Sequence, residues 1–258
     1  MRNRWLATSC TVPNIVFALI ARVFQQCYIE HHVLVIIPIR MADDTTKTSL
    51  NGKRVALGVT GGIAAYKAAE VLRGLQCAGC VVRVAMSPRA CEFITPLTFR
   101  SLSGSHVIVD DYAPDNPDPI AHITFSQTVD LLVIAPATAN IIAKFANGVA
   151  DDFLTSTYLA ATAPVLVAPA MNTSMWEHPA TQRNIERLRQ DGVQIVEPDA
   201  GEMACGTIGP GRLSEPERIV AAALEILRQA KSTRNDLTGE RLLITTGATR
   251  EEVERDRA

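Results

Sequence analysis

Five short runs of β-branched and aliphatic residues constrain this chain more than any other feature. They are 54–60, 81–86, 130–135, 165–167 and 192–196; the first three each end against a Gly, Ser or Pro, and the fourth against Ala168-Pro169. Runs of this length without polar alternation read as strands buried on both faces. Helical periodicity occupies the intervals. It covers Ile63 to Leu75, a short piece after Ser87-Pro88 through Phe93, and Ile141 to Ala146. A further helix opens at Gly148–Asp152 and runs on through 161–165; Pro179 to Gln190 and Pro216 to Gln229 complete the set. Strands alternating with helices need long crossovers, and such a chain buries its apolar surface as a parallel sheet covered on both sides. The expected class is α/β, a Rossmann-like or flavodoxin-like doubly wound parallel sheet, forming one domain over 41–230.

In an open sheet of this kind, ligands bind beyond the carboxyl ends of the strands, so those ends carry the candidate chemistry. The first delivers Thr60-Gly61-Gly62-Ile63, a tight turn into a helix start, where free N–H groups and the helix dipole favour an anion. It is neither the G-x-G-x-x-G fingerprint nor a Walker loop, and a single phosphate, bonded also by the Thr60 hydroxyl, is its simplest guest. The second ends at Ser87, read either as a helix cap or as a contributor to the same crevice. The third ends in Pro136-Ala137-Thr138-Ala139-Asn140. Small side chains there let a flat ring lie against backbone, while Thr138 and Asn140 can bond its polar edge; Thr138 is equally suited to capping the next helix. The fourth delivers Pro169-Ala170-Met171-Asn172-Thr173-Ser174-Met175-Trp176. Local pattern reads this as an Asn cap with a Met/Trp core. Asn172 is also a neutral donor and acceptor placed where a ligand would lie.

Two further stretches hold reactive side chains. His122 follows the Pro- and Asp-rich loop 110–119, where a lone His is ordinarily a surface residue. Residues 201–212 contain four Gly and a Pro, so they read as a mobile flap of little helix or strand propensity, carrying Cys205 and Arg212. A Cys in Gly-rich chain lacks the apolar surroundings of a structural one, which points to chemistry.

Composition narrows the classes. A net charge of -2 over 258 residues, without a long basic block, argues against nucleic acid. Six Cys without framework spacing suit a reducing cytoplasm, and Cys77-x-x-Cys80, at a helix end near Gly79, reads as structural. No metal is expected. In residues 1–40, Arg2 and Arg4 precede the apolar run Ile15–Ala21, too brief to span a bilayer. This reads as a signal peptide or as an extension foreign to the fold. Arg22 closes the run and no small-x-small cleavage site follows, so Met41 is the expected true start and no membrane is involved.

Taken together, Thr60–Ile63, Ser87, Pro136–Asn140, Pro169–Trp176 and Ala204-Cys205-Gly206 resemble the phosphopantothenoylcysteine decarboxylases of the homo-oligomeric flavin-containing cysteine decarboxylase family. The resemblance covers about residues 53–230. It implies FMN as cofactor, held by Thr60, Gly61, Gly62, Ile63, Ser87 and Pro136 to Asn140. It implies that the substrate, 4'-phosphopantothenoylcysteine, loses CO2 to give 4'-phosphopantetheine in coenzyme A biosynthesis. Decarboxylation would leave an unstabilised carbanion unless a flavin first oxidises the thiol-bearing carbon. Cys205 is implied as the proton donor in re-reduction of the ene-thiolate, His122 as a base or orienting group, and Asn172 as the carboxylate's partner. Met171, Met175, Ala204, Gly206 and Arg212 complete the implied substrate contacts. A homo-oligomer, commonly trimer-based with the flavin near a subunit interface, is implied as well. Rival members are peptidyl-cysteine decarboxylases, flavin prenyltransferases and non-catalytic regulatory flavoproteins. The last often lose a catalytic residue, whereas His122, Asn172 and Cys205 are all present. Residues 231–238 read as a linker, and Arg241–Arg250 resembles the first strand and turn of a phosphopantothenate–cysteine ligase domain. That resemblance stops at Glu251-Glu252-Val253, so ligase activity is expected to be absent.

Overall fold

A computed structural model describes residues 50–114, 116, 118, 120–202 and 206–232. The expectations for residues 1–40, for Ala204 and Cys205, and for the ligase-like 241–250 lie outside the described residues.

Strands β1 (Arg54–Val59), β2 (Val81–Met86), β3 (Leu131–Ala137), β4 (Val165–Pro169) and β5 (Gln194–Ile195) form one parallel sheet in the order 2-1-3-4-5. This is the flavodoxin-type order, with its reversal between β1 and β3. The alternation of side chains along each strand then builds two cores. Val55, Leu57, Val59, Leu131 and Val133 face one side with Leu72, Leu75, Phe99, Ile219 and Leu227. Those partners lie on α1 (Ala68–Cys77), α2 (Pro96–Ser103) and the closing helix α8 (Pro216–Ser232). Ala56, Leu132, Ile134 and Val167 face the other side with Phe125, Ile142, Phe153 and Ile185. These stand on α3 (Ala121–Gln127), α4 (Ala139–Ala146), α5 (Phe153–Ala160) and α7 (Pro179–Gln190). A short helix α6 (Thr173–Glu177) follows β4, and strands β6 (Asp199–Glu202) and β7 (Ile208–Arg212) pair antiparallel. Among the described residues, no helix is long and apolar enough to cross a membrane.

The fold class is as the strand runs predict, but three local expectations are corrected. The helix after Gly62 begins as a 3-10 helix, Ile63–Lys67, and becomes α-helical only at Ala68. The helix α5 ends at Ala160, short of 161–165, because Pro164 disfavours the α conformation before it. The Gly-rich stretch is a β-hairpin on either side of 203–205, since glycine weakens a strand without removing its N–H and C=O groups from the ladder. The helix Pro96–Ser103 is additional to those expected.

Candidate active site

The carboxyl ends of β1, β3 and β4 are stitched together before any ligand is considered. Thr60 N–H donates to the Pro136 carbonyl at 3.3 Å, and Ala170 N–H to the Ala137 carbonyl at 2.9 Å. The Thr60 side chain is 2 % exposed; its Oγ1 donates to the Pro136 carbonyl at 2.7 Å and accepts the Thr138 N–H at 3.1 Å. The hydroxyl expected to meet a phosphate thus also ties two strand ends together. Thr60→Val keeps the shape while leaving the Thr138 N–H without that acceptor, at a cost of about 1–3 kcal/mol. Chemical denaturation should register the loss; an unchanged midpoint would show that the staple contributes nothing.

Beyond this staple the chain turns at Gly61. A Cβ added there would lie 2.5 Å from Arg89 Cγ and 2.7 Å from the Arg89 carbonyl carbon, so the approach of the second strand's loop requires glycine. Gly62 caps the 3-10 helix through backbone alone, its carbonyl accepting from Ala65 N–H at 2.9 Å.

These ends enclose a cavity of about 490 Å³ at the β1/β3 reversal point, within the range of small-molecule sites. Gly61, Gly62, Ile63, Pro136, Thr138 and Ala139, from the ends of β1 and β3, line it together with Met171, Asn172, Met175 and Arg212. Four chain segments read separately in sequence thus share one space. Ala64, Tyr66, Lys67, Ala170, Glu202 and Leu213 also line it. Sequence reasoning passes over Tyr66 and Lys67, although Tyr66 lies one 3-10 turn beyond Ile63, on the same face.

Asn172 meets both of its readings. It caps α6 through Oδ1, which accepts the Ser174 N–H at 2.9 Å, and it stands in the cavity wall. The amide nitrogen of the same side chain is a donor, the polarity a carboxylate requires. Trp176 is buried in the core while Met175 is half exposed at the cavity, so the Met/Trp group is divided between packing and lining. The hairpin contributes to the lining and packs on the Asn172 loop. Met171 N–H donates to the Gly211 carbonyl at 2.9 Å, and a Cβ at Gly211, whose φ is +128°, would lie 2.4 Å from the Met171 carbonyl oxygen. At the rim, Glu215 accepts from Lys67 Nζ at 3.1 Å and from Arg212 Nη2 at 2.6 Å, two cations around one carboxylate.

Other expected residues stand elsewhere. Ser87 accepts from Ala90 N–H at 3.3 Å as a cap and does not line the cavity. Ala137 is buried in β3, and Asn140 is exposed on α4; neither lines the cavity, nor does Gly206. Thr138 does both tasks foreseen for it, capping α4 through the Ile141 N–H at 3.4 Å and lining the space. His122, in the first turn of α3, is also absent from the wall; its Nδ1 lies 2.9 Å from Asp111 Oδ2.

The profile of the Flavoprotein family matches residues 43–228. The chain belongs to the Flavoprotein family. It is 50 % identical over 205 residues to the coenzyme A biosynthesis bifunctional protein CoaBC of Bacillus subtilis, covering 80 % of this chain and 50 % of that protein. The CoaBC of Haemophilus influenzae is 42 % identical over 205 residues, with the same coverage. The chain thus spans about half the length of these curated relatives. Among solved structures, the FMN-dependent cysteine decarboxylase SpaF superposes with a TM-score of 0.60 at 36 % identity, covering 69 % of this flavoprotein and 97 % of SpaF. A PPC decarboxylase mutant complexed with pantothenoylaminoethenethiol gives a TM-score of 0.60 at 31 % identity, covering 67 % and 96 %. Every one of the cavity elements described above falls within residues 43–228.

Proposed function

We propose that this flavoprotein is an FMN-dependent decarboxylase that converts 4'-phosphopantothenoylcysteine to 4'-phosphopantetheine. The observation that carries the reading is Asn172: an amide side chain, its Oδ1 held as a helix cap, shares one cavity with the wall of Gly61, Gly62, Pro136, Thr138 and Ala139. That wall, formed where the strand order reverses, suits a flat ring with one phosphate, and FMN-dependent SpaF shares the fold. When bound, FMN supplies the redox chemistry that makes the carboxylate's departure possible.

The chain's residues supply the rest. Asn172 binds and orients the substrate carboxylate without neutralising it, which leaves the charged ground state unfavoured relative to CO2 loss. Lys67 and Arg212 line the cavity as donors that can meet a phosphorylated guest, beside the carboxylates of Glu202 and Glu215. Cys205, three residues beyond cavity-lining Glu202, delivers the proton to the decarboxylated product. His122 acts as base or orienting group, and its place away from the cavity wall of its own chain supports a homo-oligomer in which another copy presents it.

The test is direct. The purified chain should be yellow, release FMN on denaturation, and liberate CO2 from phosphopantothenoylcysteine with a clear preference over its unphosphorylated form. A colourless protein that refuses added FMN would end this reading. A flavin-loaded protein inert toward the substrate would leave it a flavoprotein of another kind.

A further inference from the structure

We propose that Asp111 is the positioning residue for His122, holding the imidazole by its Nδ1 edge and so fixing which ring nitrogen faces outward. The proposal rests on the reading of His122 as an active-site group. Asp111 stands eleven residues before His122, in the loop that leads from β2's neighbour Ile108 toward α3. Its side chain is 10 % exposed, with Oδ2 2.9 Å from His122 Nδ1. The other oxygen, Oδ1, is buried without a hydrogen-bond partner among the described residues. A carboxylate so far from water needs a compensating donor.

Two described donors of the loop point elsewhere. Tyr112 N–H bonds Asp110 Oδ1 at 3.0 Å, and Asn116 Nδ2 bonds the Asp111 backbone carbonyl at 2.8 Å. Among the described residues, the imidazole is the donor at hand. His122 Nδ1 is itself buried, so the 29 % exposure of that side chain belongs to its other atoms. The Nδ1 contact is close but out of line for a hydrogen bond, a state common at catalytic pairs before substrate binds. A carboxylate acceptor at Nδ1 selects the Nδ1–H tautomer and leaves Nε2 with the lone pair that a base or an orienting acceptor uses. A residue that only ordered the loop would make no such selection.

Nitrogen-15 NMR of the histidine-labelled full chain tests this at a pH where the ring is neutral. The chain holds five His, and the spectrum of His122→Gln identifies the signal. Wild-type His122 should be protonated at Nδ1 and bare at Nε2; an Nε2–H form overturns the proposal whatever the variants do. Asp111→Asn should mix the tautomers and lower kcat on the order of 10–100-fold, with KM and flavin content little changed. Asp111→Glu should recover part of that loss. Wild-type turnover in Asp111→Asn also overturns the proposal, and the wild-type spectrum decides even if that variant does not fold. Full activity in His122→Gln would instead sink the role of His122, while the tautomer still reports whether Asp111 holds the ring.

Discussion

Asn172→Asp is expected to keep the fold and lose the reaction. The two side chains are equivalent as helix caps, and an Asp oxygen can accept the Ser174 N–H as Asn172 Oδ1 does, so stability should change by less than about 0.5 kcal/mol. What changes is the face toward the cavity. The donor amide becomes a second carboxylate oxygen, which repels the carboxylate it should receive. Loss of one such positioned donor costs about 10²–10³ in kcat, and like-charge contact adds to that. Flavin content should stay at wild-type level, because the wall of Gly61, Gly62, Pro136 and Thr138 is untouched. Asn172→Arg tests the complementary idea that neutrality matters. It should hold product-like acids more tightly yet turn over poorly, since it stabilises the charged ground state that the reaction must destroy. Normal turnover in either variant would remove Asn172 from the mechanism.

Gly211→Ala is the second large effect. The backbone at +128° is strained for any L side chain, and the new Cβ would meet the carbonyl oxygen of Met171 at 2.4 Å. Strain of this kind costs about 1–3 kcal/mol, and the clash with backbone adds to it. The hairpin must then move off the loop that carries Asn172, breaking the Met171 N–H to Gly211 bond. Faster hydrogen exchange at the Met171 amide, with a lowered kcat, is the expected signature. Native protection at Met171 in an equally stable Gly211→Ala protein would show that the hairpin docks in some other way. Gly209 makes the same approach beside it, where a Cβ would lie 2.7 Å from Thr173 Oγ1.

These two residues also mark where sequence reasoning was strong and where it stopped. Strand runs buried on both faces announce themselves by composition, so the sheet and the ends that carry Gly61, Pro136 and Asn172 were legible. The hairpin was not. Its glycines argue locally against a strand, and only the approach of Met171 and Thr173 explains why glycines stand there. Thr60 was legible as a strand-end hydroxyl, but its bond to the Pro136 carbonyl was not, because a hydroxyl bonds a phosphate or a carbonyl with equal ease and Pro136 lies 76 residues away. The pairing of Asp111 with His122 was hidden for a similar reason. Carboxylates are ordinary in a loop rich in Asp and Pro, and nothing in their spacing says which one turns inward. The helix Pro96–Ser103 had both terminal signals, a Pro in its first turn and Gly104 in the left-handed conformation after its last, yet lacked a flanking strand run to draw attention to it.

The cavity walls come from four separated stretches, residues 61–67, 136–139, 170–175 and 202–213. None of them borders the space alone; each is placed by a different strand or by the hairpin. Opening the sheet therefore abolishes the whole site at once, and no fragment of the chain retains part of the affinity. Thermodynamic linkage follows: a guest that binds only the assembled state stabilises the entire domain by RT ln(1 + [L]/Kd), about 2.7 kcal/mol at one hundred times Kd. If FMN is that guest, its supply would set the stability of the whole domain as well as its activity.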